Sequence, residues 1–171
     1  MSIAPRLDEI DKKILEILQE DCKVSLEEVA KKLKISKSAA RYRIKKLEND
    51  KIILGYYAKL NPAKLGNDHV SITLIDAKYG PGYHEKVGKR IASIQGVCGV
   101  YYVLGQYDFV AFTRSSSAAE FMQKLKQMMK MREVERTRTQ VVAEVIKDDH
   151  RIDLTNIPFT NSHMNQSKKG E

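Results

Sequence analysis

Cysteine is scarce in this chain of 171 residues: there are two, Cys22 and Cys98. They have no CxxC spacing and no histidine cluster beside them, which argues against a disulfide scaffold and a zinc knuckle. Both are expected to be small buried apolar residues. The four histidines, His69, His84, His150 and His163, are scattered. Neither a Walker nor a Rossmann glycine pattern appears, so nucleophilic, metal-assisted and phosphate-loop chemistry all lack their residues. The chain is therefore read as a non-enzyme with no catalytic residue, no metal and no cofactor. No stretch approaches the roughly 20 apolar residues of a membrane span, and residues 1–5 lack the apolar core of a signal peptide; a cytoplasmic location is expected. Acidic residues are in deficit, 22 against 30 Lys and Arg, giving a net charge of +8 and a pI near 9.4. That balance draws the protein to polyanions without naming one. With 42% hydrophobic and 30% charged residues, the composition is that of an ordinary globular protein with room for two small domains.

What the chain does have is a cationic third helix within residues 8–60. Leu7, Ile10, Ile14 and Ile17 or Leu18 recur at helical spacing, with Asp8, Glu9, Asp11, Lys12, Lys13 and Glu16 in the remaining, solvated directions. Ser25-Leu26-Glu27-Glu28 places a serine and a glutamate three apart, as a capping box requires, and opens a second helix whose Val29, Ala30 and Leu33 face inward. Lys34-Ile35-Ser36 makes a turn, with Ser36 the expected N-cap of the third helix. On that helix Ala40, Ile44 and Leu47 share one sector. At about 100° per residue, Ser38, Tyr42, Lys45 and Asn49 take the opposite side, with Arg41 at the flank. A Lys/Arg run on an isolated helix is usually a solvated face. As the third of three helices at helix-turn-helix spacing, it reads as the element presented to DNA. Residues 52–60, β-branched and aromatic around Gly55, suit a short two-stranded wing or a strand leading away.

Residues 61–68 concentrate chain breakers and read as a hinge. Beyond it, Val70, Ile72 and Leu74 alternate with Ser71, Thr73 and Ile75 as in a half-buried strand. Gly80-Pro81-Gly82 turns the chain into a run with Val87, Ile91 and Ile94 at helical spacing, ended by Gly96. Residues 97–104 and 108–113 are β-rich and joined by Gly105-Gln106-Tyr107 as a hairpin. Ser115 to Ser117 offer caps to a helix carrying Ala118, Met122, Leu125 and Met129 on one stripe, and residues 137–146 read as the last strand. The order β-α-β-β-α-β is that of a ferredoxin-like fold, an antiparallel four-stranded sheet with both helices on one face. The open face would be an exposed apolar patch unless a second subunit covers it, so a dimer through this domain is expected. RNA-recognition motifs share the order, but residues 108–113 lack the glycine-aromatic pattern on which such domains stack bases. From Thr160 onward apolar side chains nearly vanish, and a disordered tail is expected.

A helix-turn-helix head joined by a short hinge to a βαββαβ body resembles the Lrp/AsnC, or feast/famine, family of prokaryotic transcription regulators. The resemblance spans residues 7–152. It rests on Leu7-Asp8-Glu9-Ile10-Asp11-Lys12-Lys13-Ile14-Leu15, Leu18-Gln19-Glu20-Asp21, Arg43-Ile44-Lys45-Lys46-Leu47-Glu48, residues 53–56 and Gly105-Gln106-Tyr107-Asp108. The expected class is α+β: an N-terminal (winged) helix-turn-helix over residues 1–60, a hinge at 61–68, a C-terminal ferredoxin-like βαββαβ (RAM-type) effector-binding and oligomerisation domain over 69–152, and a C-terminal extension at 153–171. The resemblance implies a dimer, often assembled further to a tetramer or octamer. It also implies binding to pseudo-palindromic promoter sites on double-stranded DNA and an amino acid effector held at subunit interfaces of the body. Two departures stand out. The family often has glycine where Lys51 stands, which would shift the left-handed exit of the third helix to Asn49 or Asp50, and it commonly has a basic residue at the position of Tyr42.

For DNA, Ser38, Arg41, Tyr42 and Lys45 are expected to enter the major groove, while Lys37, Arg43 and Lys46 contact phosphates or brace the helix. Arginine can fork onto a guanine edge, and flanking lysines act mainly as point charges. A two-fold dimer would set two such helices about 34 Å apart, one turn of DNA. For the effector, Gly105, Gln106, Tyr107 and Asp108 form the local candidate, because a hairpin exposes backbone donors and an aspartate can hold an ammonium group. The competing reading is that Asp108 only satisfies turn amides. By the resemblance, Tyr79, Thr137 and Thr139 join the effector site. The alternative function is an architectural DNA-binding protein that answers to no effector.

Overall fold

The computed structural model describes residues 7–157; the expectations for residues 1–5, His163 and the tail from Thr160 lie outside the described residues. The described chain forms two compact units, residues 7–59 together with 149–157, and residues 60–148.

The first unit is built from three capped helices. In α1 (Glu9–Glu20) the Asp8 carboxylate accepts the amides of Ile10 and Asp11 at 2.9 and 2.8 Å, and Asp11 returns its own carboxylate to the Asp8 amide at 3.2 Å. Ser25 and Glu28 close the expected box on α2 (Leu26–Leu33), and Ser36 caps α3 (Lys37–Asn49) through the Ala39 amide. Ile14, Val29, Ala40 and Leu47 meet in the core, each almost wholly buried. Ala40 has only a methyl group, so α3 can lie close against its neighbours.

Asp11 departs from the solvated direction expected for it: it is buried at 5% exposure, with Asp8 beside it, because Arg43 of α3 reaches both carboxylates through Nη1 at 2.7 Å. Burial opposes charge on Asp8. For Asp8, the Asp11 amide, the Arg43 hydrogen bond and charge, and the Ile10 amide outweigh it and hold the carboxyl below its ordinary range.

Two further corrections concern the backbone. The left-handed exit of α3 falls on Lys51 itself (φ 58°), whereas Asp50 keeps a negative φ of −74°. Ile52 and Lys51 donate back to the Leu47 and Glu48 carbonyls at 2.9 and 3.1 Å, a Schellman closure built without glycine. Residues 54–61 belong to no helix and form no strand ladder, so no wing is present among the described residues. Cys22 is exposed, not buried.

Residues 149–157 complete this unit, although the expected boundaries split them between the effector domain and the extension. The Leu154 side chain is 7% exposed in the same core. The Gln19 amide both receives the Ile152 N–H (2.7 Å) and donates to the Ile152 carbonyl (3.1 Å).

The second unit follows a 3-10 turn (Ala63–Leu65) and has the order β1 (His69–Ala77), α4 (Tyr83–Ala92), β2 (Val97–Tyr102), β3 (Phe109–Ser115), α5 (Ala118–Met129), β4 (Val134–Val141). The sheet runs β2-β3-β1-β4 with every neighbour antiparallel, the ferredoxin-like arrangement. Its buried face is less apolar than expected: Ser71, Thr73, Thr113 and Ser115 are wholly buried beside Ile75, Phe109 and Ala111. Ile72, Leu74, Val110 and Phe112 stand on the opposite face, half-buried, with exposed Tyr101 beside Phe112. Cys98 on β2 is exposed.

Helix α5 buries Phe121, Lys124 and Met128, and leaves Met122 and Met129 exposed, so the stripe through Ala118, Met122, Leu125 and Met129 is not its core face. Lys124 is accommodated there because its ammonium donates to the Arg114 carbonyl at 2.8 Å and to the Glu120 carboxylate at 2.5 Å. The last strand lies earlier than expected, ending at Val141 instead of residue 146.

The polar joint and the returning segment both predict local loss of stability. Arg43→Ala strands Asp11 without its cation and should cost the first unit about 2–3 kcal/mol; Leu154→Ala should cost about as much through the cavity it leaves. Peptide-resolved hydrogen exchange of the full chain should show faster opening in residues 7–59 with residues 60–148 unchanged. Unchanged exchange over α1 and α3 would refute these roles. Since the Asp8 carboxyl is lowered from 3.8, its share is complete above that pH and is lost as the pH falls through the lower folded value.

Candidate functional site

Once Ala40 and Leu47 are buried, the period of α3 fixes what it turns outward. Lys37, Ser38, Arg41, Tyr42 and Lys45 line one shallow, open concavity. Tyr42 is 71% exposed, with its ring unpacked against the core and its hydroxyl available. Ser38 shares a hydrogen bond with the cap hydroxyl of Ser36 at 3.0 Å, which holds it at the start of the face. Lys46 is exposed beside this face. Arg43 is the member of the expected set that lies elsewhere: its guanidinium is turned to Asp8 and Asp11, so of the two roles open to it the geometry carries bracing. Lys37 is already engaged, donating to the carboxylate of Glu27 in the first turn of α2. Glu27 was not among the expected site residues; nothing in the spacing of two residues ten apart marks them as neighbours before the turn between α2 and α3 is built.

The effector candidates gather at one end of the sheet. The loop between β2 and β3 closes through the Val103 amide onto the Asp108 carbonyl, and the Asp108 amide donates to the Ile75 carbonyl. The Asp108 carboxylate accepts the Ala77 amide at 2.7 Å and the Tyr83 hydroxyl at 3.1 Å. This aspartate thus holds a neighbouring strand and a helix, more than turn amides alone. The Tyr83 hydroxyl also shares a hydrogen bond with the Tyr102 hydroxyl at 3.1 Å, so the carboxylate and the two phenols form one short chain. The bond to Tyr102, burial and the nearby carboxylate push the Tyr83 phenol above its ordinary range. Tyr79, 84% exposed, lies against the Tyr83 ring with centroids 5.0 Å apart. Tyr107 points another way, accepting from Arg138 at 3.0 Å. Nothing stands within 4 Å of where a side chain on Gly105 would begin, and Gln106 is exposed.

Thr137 pairs with Ile75, in the same row as the Asp108 amide, whereas Thr139 lies two residues further along and shares its hydroxyl with Thr73 at 3.1 Å. Asp108 and Tyr79 are therefore brought together through Tyr83, with Thr137 in line, while Thr139 is engaged inside the sheet. Tyr83, Tyr102 and Arg138 were missed by the sequence reading. Tyr83 had a signal, an aromatic opening a helix directly after Gly80-Pro81-Gly82. Among the described residues no His, Cys, Asp and Glu group could hold a metal ion, and no helix is long and apolar enough to cross a membrane.

Comparison with known proteins gives this geometry its family. Residues 7–48 match the AsnC-type helix-turn-helix domain, and residues 72–152 match the Lrp/AsnC ligand binding domain. An uncharacterised HTH-type transcriptional regulator of Pyrococcus abyssi is 37% identical over 147 residues, covering 86% of this chain and 99% of its own. The leucine-responsive regulatory protein of Haemophilus influenzae is 34% identical over 145 residues, 82% of this chain and 86% of its own. The crystal structure of an AsnC family transcriptional regulator from Agrobacterium tumefaciens superposes with a TM-score of 0.83 at 25% identity, over 89% of this chain and all of that one. With the helix-turn-helix in the first unit and the four-stranded α+β domain in the second, the chain belongs to the Lrp/AsnC family of transcription regulators.

Proposed function

We propose that this regulator reads sequence in double-stranded DNA by laying α3 in the major groove, with Arg41, Tyr42, Lys45 and Ser38 at base edges and Lys46 at phosphates. The observation that carries this reading is the single outward face of α3: its base-reading candidates share one open concavity, while its apolar side and Arg43 are fixed inward. Replacing Arg41 removes a fork that distinguishes bases, whereas replacing Lys46 removes a point charge. In salt-series titrations, Arg41→Ala should therefore lose about 1–3 kcal/mol on a selected duplex and little on a mixed-sequence one. Lys46→Ala should weaken both alike and flatten the salt slope by about one unit. An equal loss on both duplexes for Arg41→Ala would remove it from base reading.

The working unit is a dimer formed through the open sheet face, binding a pseudo-palindromic site in the cytoplasm and free to assemble further. A face carrying Ile72, Leu74, Val110, Phe112 and Tyr101 supports this, since leaving it to water forgoes the stabilisation of apolar burial. Phe112→Glu should shift the protein from dimer to monomer in sedimentation velocity; a dimer that survives it uses another surface.

The effector is an amino acid held near the loop of Gly105, Gln106, Tyr107 and Asp108, with Asp108 receiving the ammonium and Tyr79 and Thr137 beside it. The half-buried Asp108 carboxylate, fixed on two sides by Ala77 and Tyr83, supports this; Thr139 is a more distant contributor. The name of the leucine-responsive relative points to the same class of ligand. A thermal-shift screen of the common amino acids should give a selective rise, since a ligand at 100 times its Kd adds about 2.7 kcal/mol to the folded state. A flat screen would put an architectural, effector-independent DNA-binding protein in its place.

A further inference from the structure

Among the cations at the front of α3, Lys37 is already held. Its ammonium donates to the Glu27 carboxylate although both side chains are more than half exposed, 52% and 61%. The Lys37 hydrogen bond, then that of Glu27's own backbone amide, and after these the charges of Lys37 and Arg41, keep the Glu27 carboxyl below its ordinary range. Glu27 also sits in the first turn of α2, beside Glu28, which folds back onto Ser25. A helix N-terminus there would otherwise offer its free amides to a phosphate, and in a helix-turn-helix this end of the first helix of the pair runs across the DNA backbone. An anion has therefore been placed where the molecule must approach other anions. The cost of bringing Glu27 to a phosphate is the same on every sequence, but a protein docked loosely on the backbone has nothing to offset it.

We infer that Glu27 is a specificity gate: it sequesters Lys37 in the free protein, so binding to arbitrary DNA lacks a cation, and the pair opens where α3 makes its base contacts. The inference rests on α3 being the DNA-reading face. Opened at a preferred site, Glu27 can also accept from a cytosine amino group at the groove edge, and Lys37 gains a phosphate. On other sequences the pair stays closed and Lys37 releases no counterion.

The test uses the full-length protein and its Glu27→Gln, Lys37→Gln and double variants, titrated over a salt series. The probes are a mixed-sequence duplex and a duplex selected by the wild type from a randomised library. Glu27→Gln frees Lys37, so binding to the mixed-sequence duplex should tighten about 3–10-fold at low salt, and its salt slope should steepen by about one unit per subunit. The selected duplex should gain less, so discrimination narrows. Lys37→Gln alone should leave mixed-sequence binding nearly unchanged, yet abolish the gain when combined with Glu27→Gln. A mixed-sequence slope unchanged by Glu27→Gln would overturn the gate. Equal tightening on both duplexes would overturn it too, because Glu27 would then be a general repulsive charge. Lys46→Ala serves as the reference. If it flattens the slope while Glu27→Gln does nothing, the gate alone fails; if neither moves the slope, the assignment of α3 fails with it.

Discussion

Arg43 is the cation of α3 that turns inward, and the aim of the outward face of α3 follows from it. The same two carboxylates that close the capping box of α1 receive its guanidinium, both at 2.7 Å. The first turn of α1 and the middle of α3 therefore form one polar joint, above a core of Ile14, Val29, Ala40 and Leu47. With Asp11 buried, the pairing tolerates little displacement, because any movement that separates the charges leaves one of them desolvated. Fixing position 43 inward sends positions 41, 42 and 45 outward at about 100° per residue. One guanidinium nitrogen, Nη1, meets both carboxylates, and arginine keeps its charge in a half-buried place where a lysine ammonium is more readily lost.

The first unit was legible in the sequence where local rules are strong. The Ser25 and Glu28 box, the Ser36 cap and the Ala40, Ile44 and Leu47 sector all depend on contacts within a helix or between adjacent ones, and the structure has them. Asp11 was misjudged because its partner is 32 residues away, and only that partner makes burial tolerable. Lys51 took the left-handed conformation itself because the closing bonds to Leu47 and Glu48 require that geometry at the residue after the cap, whatever side chain stands there. Leu154 carried no signal at all: an isolated leucine late in the chain has no periodicity to announce that it belongs to a core begun at Leu7.

In the second unit the order of elements was readable and the choice of faces was not. Alternation in β1 separates Val70, Ile72 and Leu74 from Ser71, Thr73 and Ile75, but it does not say which side meets the helices. Two helices on one face leave an apolar surface on the other, so the polar side of the alternation is the one enclosed. The same inversion occurs on α5, where Lys124 is buried while Met122 and Met129 are exposed. An amphipathic pattern reports that a face is apolar; whether the cover comes from the same chain is a matter of architecture. At the end of the sheet that carries the effector candidates, Asp108 was singled out from its loop, but Tyr83, which bonds its carboxylate, and Tyr102, which bonds Tyr83, come from α4 and β2 and join it only in three dimensions.

Net charge gives a poor count of what DNA meets. Of the 30 Lys and Arg side chains, Arg43 is committed to Asp8 and Asp11, Lys37 to Glu27, Lys124 to Glu120, Arg90 to Glu133 and Arg151 to Asp149. On and beside the outward face of α3, Arg41, Lys45 and Lys46 make no ion pair of their own among the described residues. In the proposed docking Arg41 and Lys45 sit at base edges, which leaves Lys46 as the phosphate contact among the three, worth about −0.9 in the salt slope of one head. So few contacts hold a single head weakly at physiological salt. In the proposed dimer two heads would add their slopes, and they would engage together only if the frame spaced them to match the site. The sparse charge of α3 would then shift the burden from electrostatic attraction to the geometry of that assembly. A regulator built in this proposed way would be governed by anything that moved one subunit against another, without altering a single residue of α3.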